Sequence, residues 1–207
     1  LLTERGVVER FGQRGFHTSL QRINQEDLPQ VTPSLQHLVA IVHEHLGQIE
    51  THLAGLEEPF KHALQDSAVA QRVQTIFGVG PVTATACAAE YAGGVDRFHD
   101  SHQFAASLGI PPSEHASGEK RRHGSVTKRG NPYRRTLLVQ CANAIVNLRN
   151  RREDALCQLA RHGFAQDKRR AVVIVAIANR LARSIYTVIR HRTVYAPNGR
   201  HAATAVA

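Results

Sequence analysis

The chain has 207 residues, of which 42% are hydrophobic and 5% aromatic. This length allows one sizeable domain or two small ones, and the apolar fraction can build a core. A formal net charge of +9 and an isoelectric point of about 10.2 favour a polyanionic partner. No apolar run reaches the roughly 20 residues that span a bilayer, which argues against a membrane protein.

The start of the chain and its cysteines indicate its context. The chain begins with Leu1 and contains no Met, which predicts a fragment of a longer protein, a processed form or a trimmed form. Cys87, Cys141 and Cys157 have no metal-ligand spacing and lie in apolar stretches. They are therefore predicted to be buried thiols in a reducing cytoplasm, and no signal peptide is visible.

The first predicted element is a long helix over residues 33–65, following a remnant or linker at 1–31. Thr32 and Pro33 are typical of a helix start. Apolar residues then recur at steps of three and four, which is typical of a coiled-coil seam. They are Leu35, Leu38, Val42, Leu46, Ile49, Leu53, Leu56, Phe60 and Ala63. We expect a second copy of the chain against this seam; the alternative is a helix folded onto its own domain.

Shorter helices follow, and no repeat and little strand is apparent. The predicted helices cover 67–76, Pro81–Ala92, Ser101–Leu108, 132–149, 153–162 and 167–190. Residues 113–131 lack a helical period and contain several glycines, which predicts a loop or a short hairpin. The predicted fold is mainly α: a coiled-coil helix in segment 32–66, a compact helical domain at 67–194, and a flexible tail at 195–207.

A Gly-hydrophobic-Gly turn joins the second and third predicted helices. Gly78, Val79 and Gly80 precede Pro81, and this pattern predicts a helix-hairpin-helix. Glycines allow a phosphate to approach the backbone, and free amides at a helix start favour an anion. Val79 would anchor the turn in the core, while the glycine amides and Thr83 would contact a DNA phosphate without reading bases. The alternative is an ordinary turn between helices.

Positive charge is concentrated between residues 119 and 135. The basic residues are Lys120, Arg121, Arg122, Lys128, Arg129, Arg134 and Arg135, with Glu119 as the acid and Asn131 among them. A serine in such a loop could attack a phosphodiester while the cations stabilise the developing negative charge. From spacing alone, a phosphate-binding loop in which serine only donates hydrogen bonds explains the same residues.

No metal site is predicted in this chain. Asp96, Asp100, Asp154 and Asp167 show no paired-carboxylate spacing and are interpreted as caps or surface charges. The histidines of the long helix, which are His43, His45 and His52, are interpreted as surface residues.

Several stretches together resemble one protein family. Residues 76–86 resemble its pattern IPGVGPVTATAL, and residues 104–112 resemble FAAWLGLVP. Residues 115–120 resemble HSSGGK, residues 127–138 resemble TKRGNRYLRTLL, and residues 178–183 resemble ANKLAR. In order and spacing the chain is similar to the DEDD-type insertion-sequence transposases of the IS-110/IS-116/IS-902 type, closest to the IS-1111 branch.

This resemblance implies a function and a site. Such transposases cut and rejoin DNA through a serine-linked intermediate, guided by a structured RNA of the element. The family serine lies in the SSG stretch, where Ser117 matches the second serine and is the implied nucleophile. The resemblance also implies a RuvC-like domain with four metal-binding acids, expected upstream of Leu1, so magnesium is expected there and not in this chain. DNA, guide RNA and a second copy are the implied partners, in a bacterial cytoplasm near the nucleoid.

The chain departs from the family pattern at three positions. Phe77 replaces a proline before the turn, Ala116 replaces the first serine, and Glu119 replaces a glycine. Two other functions remain open on the sequence. A non-catalytic helix-hairpin-helix DNA-binding module explains the charge and the turn, and a coiled-coil scaffold explains the long helix alone.

Overall fold

The computed structural model describes residues 32–117 and 120–197, with the backbone alone for residues 112–125. The described chain is mainly helical, as the sequence predicts. Its helices are α1 (Pro33–Gln65), α2 (Ala68–Gln74), α3 (Pro81–Tyr91), α4 (Ser101–Ser107), α5 (Pro132–Leu148), α6 (Ala155–Ala165) and α7 (Arg170–Arg190). Two strands, β1 (Pro112–Ser117) and β2 (Lys120–Val126), lie between α4 and α5. The predicted remnant at 1–31 lies outside the described residues, as do residues 198–207.

The chain divides into two compact units, residues 1–59 and residues 60–207. The boundary falls inside α1, whereas the sequence placed the start of the helical domain at residue 67. The long helix itself has the predicted bounds and continues through Pro59. Pro33 is tolerated at its start because a first-turn amide has no helical acceptor.

The long helix α1 leaves much of its apolar seam exposed. Leu35 and Val39 are buried. By contrast, seam positions that the sequence predicted to be covered by a partner are open in the single chain. They are Leu38, Val42, Ile49, Leu53 and Leu56, each more than two-fifths exposed. The coiled coil therefore stays a prediction.

In the second unit, α7 is the central helix. It packs against α2, α4, α5 and α6, and ten of its residues are buried. By length and composition, α7 is the one described helix apolar enough to cross a membrane. Its burial in a helical core explains the same composition, because a helix surrounded by other helices is apolar on most sides.

Local caps determine where the short helices begin. The carboxylate of Asp100 accepts hydrogen bonds from the amides of His102 and Gln103, and Asp154 caps Leu156 in the same way. The prediction for this helix, 153–162, ends three residues before the observed end at Ala165, because Gly163 suggests a stop. In the structure Gly163 is inside α6, and an added Cβ would lie 2.9 Å from the Val173 side chain. Glycine here allows α6 and α7 to pack closely.

The predicted loop at 113–131 contains the hairpin that the sequence left as an alternative. Strands β1 and β2 are antiparallel, with an irregularity between Pro112 and Glu114. The predicted flexible tail begins at residue 195, and the structure describes its first residues, 195–197. The amide of Tyr195 donates to the Thr75 hydroxyl, and the Tyr195 hydroxyl donates to Asp154. Asp154, the N-cap of α6, thus binds Tyr195. The local sequence around Tyr195 does not indicate this contact.

Candidate nucleic-acid interface

The Gly-Val-Gly turn connects α2 to α3 and is seated on α5. Gly78 has a φ of 84°, a left-handed conformation that favours glycine. An added Cβ would collide with the Ile145 side chain and lie 3.3 Å from the Cys141 carbonyl oxygen. Gly80 differs, because a Cβ there would meet nothing within 4 Å. The backbone at Gly80 is therefore open to an approaching group.

The two side chains of this motif face the core. Val79 is 7% exposed, as expected for the anchor of the turn. Thr83 is 6% exposed, and its hydroxyl lies 3.3 Å from the Cys141 sulfur. The predicted phosphate contact of the Thr83 side chain is not supported, because the first turn of α3 rotates this residue towards α5.

At the start of α3, Gly80 is the N-cap and provides no side-chain acceptor for the first amides. Free amides and the positive end of the helix dipole make this end suitable for an anion. Phe77, which departs from the family proline, is half-buried beside it. The Arg152 guanidinium lies 5.1 Å from the centre of the Phe77 ring. The substitution therefore adds an arginine contact at the edge of the turn.

The proposed nucleophile lies at the end of β1. The strand register pairs Ser117 with Lys120, Ala116 with Arg121 and His115 with Arg122. Successive residues of a strand alternate between faces. The register thus assigns Ser117, Lys120 and Arg122 to one face of the hairpin, and Arg121 to the other.

The base of the hairpin is fastened to the end of α4. The amide of Lys128 donates to the Gly109 carbonyl at 3.2 Å. Gly109 and Gly130 have positive φ angles, and an added Cβ on either would collide with the opposite backbone, at Arg129 or Ser107. This close crossing leaves the Lys128 and Arg129 side chains exposed, where a phosphate could reach them.

The polar residues at the start of α5 mainly contact other parts of the protein. Asn131 is the N-cap, and its side-chain oxygen accepts from the Tyr133 amide at 2.9 Å. Arg134 donates to the Tyr91 hydroxyl at 2.7 Å and pairs with Glu90 at 3.0 Å. Arg134 was predicted to bind nucleic acid, but these contacts hold its side chain against α3. Burial raises the pKa of Tyr91, and the nearby Arg134 opposes that shift.

Arg135 is half-buried and differs from its neighbour. One terminal nitrogen of its guanidinium is buried and has no hydrogen-bond partner in the described chain. The cysteines are free in the structure, with Cys141 and Cys157 buried as predicted and Cys87 half-buried. Burial raises the pKa of the Cys87 thiol to about 12, which makes it a poor nucleophile at neutral pH.

Sequence reasoning missed a second group of arginines. Arg72 at the end of α2 and Arg190 and Arg192 at the end of α7 line one cleft. Arg72 is far from Arg190 and Arg192 in the sequence, so only the packing of α2 against α7 reveals the three as one group.

Comparison with known proteins shows similarity to transposases. Residues 70–158 match the transposase IS116/IS110/IS902 family. A probable family 20 transposase of Pseudomonas aeruginosa is 32% identical over 198 residues, which cover 95% of this chain and 58% of that protein. The transposase for insertion sequence element IS1328 of Yersinia enterocolitica is 32% identical, over 83% of this chain and 50% of its own length.

The transposase for insertion sequence element IS1111A of Coxiella burnetii is 30% identical, over 94% of this chain and 53% of its own length. The chain thus spans about half the length of the curated relatives it matches. The matched segment 70–158 holds the turn, the hairpin and the start of α5, which are the parts of the candidate interface. Residues 70–158 are therefore similar to the IS116/IS110/IS902 family of transposases, and most of the chain is similar to one part of these longer transposases.

Proposed function

We propose that this chain is the DNA-handling part of a transposase that cuts and rejoins DNA through Ser117, guided by a structured RNA. The observation that carries the proposal is the position of Ser117, in the family's SSG stretch and directly across the hairpin from Lys120. A cation beside a nucleophile stabilises the charge that develops on the phosphate oxygens.

The chemical step is a transesterification. The Ser117 hydroxyl oxygen forms a bond to phosphorus, and one phosphodiester P–O bond breaks. The departing DNA oxygen takes up the proton as a free hydroxyl, and the protein keeps the other DNA end as a phosphoserine ester. Rejoining is the reverse reaction with another DNA hydroxyl, so no external energy source is needed.

The basic residues divide into two roles in this proposal. Lys120 and Arg122 share the hairpin face of Ser117 and stabilise the reacting phosphate. Exposed Lys128 and Arg129, together with the open backbone at Gly80, hold phosphates farther along the nucleic acid. Arg121 belongs to the opposite face and contributes to binding only.

The resemblance implies a divalent metal held by acidic residues of a RuvC-like domain. Within the described ranges, no group of three or more His, Cys, Asp or Glu side chains is placed to hold a metal. We propose that magnesium is held by those acids of the RuvC-like domain rather than by residues of this chain. The recombination activity as a whole, the guide RNA and a location near the nucleoid are part of the proposal.

Dimerisation through α1 is also part of the proposal. The exposed seam residues Leu38, Val42, Ile49, Leu53 and Leu56 recur at heptad-like steps, which suits a second, identical helix. Recombination that exchanges strands needs two nucleophiles, and a symmetric pair of chains supplies them.

The test is to trap the covalent intermediate. The complete transposase that contains this chain is incubated with a nicked suicide substrate, and the protein–DNA adduct is measured on a denaturing gel. We expect Ser117→Ala to abolish the adduct and to leave DNA affinity unchanged. Ser113→Ala and Ser125→Ala are matched controls on the same hairpin and should retain the adduct. An adduct that survives in Ser117→Ala would move the nucleophile elsewhere.

A second candidate function is DNA binding without chemistry. The buried Val79 and the open Gly80 favour it, because they suit a phosphate contact that requires no nucleophile. Under that function no serine substitution changes any measured product, and the wild-type enzyme forms no adduct while it still binds DNA.

A further inference from the structure

We propose that the cleft between the C-terminal ends of α3 and α7, here called the arginine cleft, binds a nucleic-acid phosphate at a second site. Its wall includes Arg72, Gly93, Gly94, Arg190, Arg192 and Thr193. The inference rests on the proposed nucleic-acid function and adds a contact outside the sequence motifs on which the family resemblance rests.

The arginine cleft has the size of a ligand site. Its volume is about 690 Å³, within the range of about 300–1,000 Å³ that is usual for small-molecule sites and ample for a nucleotide unit. It lies at the opposite end of α3 from Gly80. At about 1.5 Å per residue, the eleven residues of α3 separate the two places by about 16 Å, so one phosphate cannot occupy both.

The charge of the cleft is positive after its internal ion pair is counted. Asp96 is the one acid among the described residues that line it, and Asp96 pairs with Arg190. The Nε of Arg72 donates to the Ala68 carbonyl at 2.8 Å. Its two terminal nitrogens make no hydrogen bond to the described residues. No hydrogen bond or ion pair within the described chain engages the Arg192 side chain. Two guanidinium groups are thus available to an anion.

The carbonyl groups at the two helix ends do not account for these arginines. At the end of α7, the carbonyl oxygens of Thr187, Val188 and Ile189 accept from the amides of the next turn. At the end of α3, the Tyr91 carbonyl accepts from the Gly94 amide at 2.8 Å. Since these acceptors already have backbone donors, the arginines are not required as helix caps.

Arg192 occupies a position where glycine would be easier to accommodate. The amide of Thr193 donates to the Val188 carbonyl and that of Arg192 to the Ile189 carbonyl, which is the Schellman end of a helix. The φ of Arg192 is 52°, a left-handed conformation that is costly for a residue with a Cβ. An arginine in a strained position beside a cationic cleft suggests a role for its side chain.

Thr193 adds an unsatisfied polar group to the same wall. It is 6% exposed, and its hydroxyl oxygen is buried without a hydrogen-bond partner in the described chain. A buried hydroxyl without a partner is costly, and a phosphate oxygen could accept its hydrogen bond.

The test compares Arg192→Gly with a matched control in the 207-residue chain. Glycine relieves the left-handed strain, so the variant should fold with equal or higher thermal stability. We expect its affinity for nucleic acid to fall about three- to tenfold and its salt slope to fall by about 0.7 to 0.9. The control is Asp167→Gly, which relieves the same geometry at the end of α6, where φ is 53°. It should keep full affinity.

The probes are duplex DNA, single-stranded DNA and hairpin RNA of equal length, with binding followed by fluorescence anisotropy. The probe that loses affinity identifies the source of the phosphate. Thr193→Val is a second, nearly isosteric variant, and we expect a weaker loss on the same probe. Nucleic acid should also slow amide hydrogen exchange at 91–96 and 189–193 in the wild-type chain, and less so in Arg192→Gly.

Two failures can be told apart. If the wild-type chain binds the probes and Arg192→Gly binds them equally well with the same salt slope, the arginine cleft is not a phosphate site, while the proposed function stands. If the wild-type chain binds no probe, the proposed function fails and this inference fails with it. If Arg192→Gly weakens self-association of the chain and leaves its affinity for nucleic acid unchanged, the cleft receives an acidic segment of a second copy.

Discussion

At the scale of single residues, the buried Asp154 joins three parts of the second unit. Its carboxylate caps α6 through the Leu156 amide at 2.8 Å and accepts from the Tyr195 hydroxyl at 3.1 Å. Tyr195 in turn holds Thr75, which follows α2. Burial raises the pKa of the Tyr195 phenol, and the Asp154 carboxylate raises it further. One carboxylate therefore links the end of the described chain to the helix that precedes the turn.

This pair predicts a dependence of stability on high pH. A phenol whose pKa is raised in the folded protein contributes stability that is complete below the unfolded value of about 10. That contribution is lost as the pH rises from there through the folded pKa. We expect Tyr195→Phe to be less stable than wild type at pH 8 by about 1 kcal/mol. The difference should shrink above pH 10.

The measurement is urea unfolding at pH 8 and at pH values above 10. Tyr133→Phe is the control, because Tyr133 is 58% exposed and its loss should leave the pH profile unchanged. A Tyr195→Phe profile that runs parallel to wild type would show that this hydroxyl does not titrate with folding.

At the scale of elements, the two glycines of the turn have separable roles. Gly78 combines a left-handed φ with contact to α5, whereas Gly80 has an extended backbone and open space beyond it. The first requirement is structural and the second concerns access. Sequence alone does not distinguish them, since both are glycines of one short motif.

Substitution by alanine should separate these roles. We expect Gly78→Ala to lower the free energy of unfolding by about 2 to 4 kcal/mol, through left-handed strain and overpacking against Ile145. Gly80→Ala should leave stability nearly unchanged and weaken DNA binding, because its Cβ projects where a phosphate backbone would approach. Denaturant unfolding and anisotropy on both variants test this. Wild-type affinity in Gly80→Ala would exclude a close phosphate contact at the turn.

The seam of α1 carries the second prediction at this scale. Leu53 is 58% exposed in the single chain. If a second copy covers it, Leu53→Asp places a charge in an apolar interface and should weaken self-association by at least about tenfold. Thr51→Asp, at an exposed position between seam residues, is the control for helix propensity. Sedimentation equilibrium measures the association constants, and equal values for the two variants would contradict the coiled coil.

At the scale of the whole molecule, the positive charge is distributed over more than one surface. The hairpin with Lys128 and Arg129 forms one basic region, and the arginine cleft forms another. The net charge of +9 is therefore not a property of one loop. Long nucleic acids could bridge these regions, while a short oligonucleotide would occupy one.

This distribution predicts a steep dependence of binding on salt. If the chain neutralises six or more phosphates of a long duplex, affinity should fall by about a thousandfold between 50 and 200 mM salt. A duplex too short to reach both basic regions should show a shallower slope. Titrations of both duplexes at several salt concentrations check this. Equal slopes would mean that a single region makes all the contacts.

The sequence by itself determined the resemblance to one transposase family and most helix positions. Caps and periodicity are local, so Pro33, Asp100 and Asn131 mark helix starts without knowledge of the fold. The tertiary structure decided which polar residues face solvent. Thr83 and Arg134 lie inside the motifs but turn towards neighbouring helices, and Arg72 lines the same cleft as Arg192 only because α2 packs on α7. Such contacts join residues distant in the chain, and their burial depends on packing that no local pattern encodes.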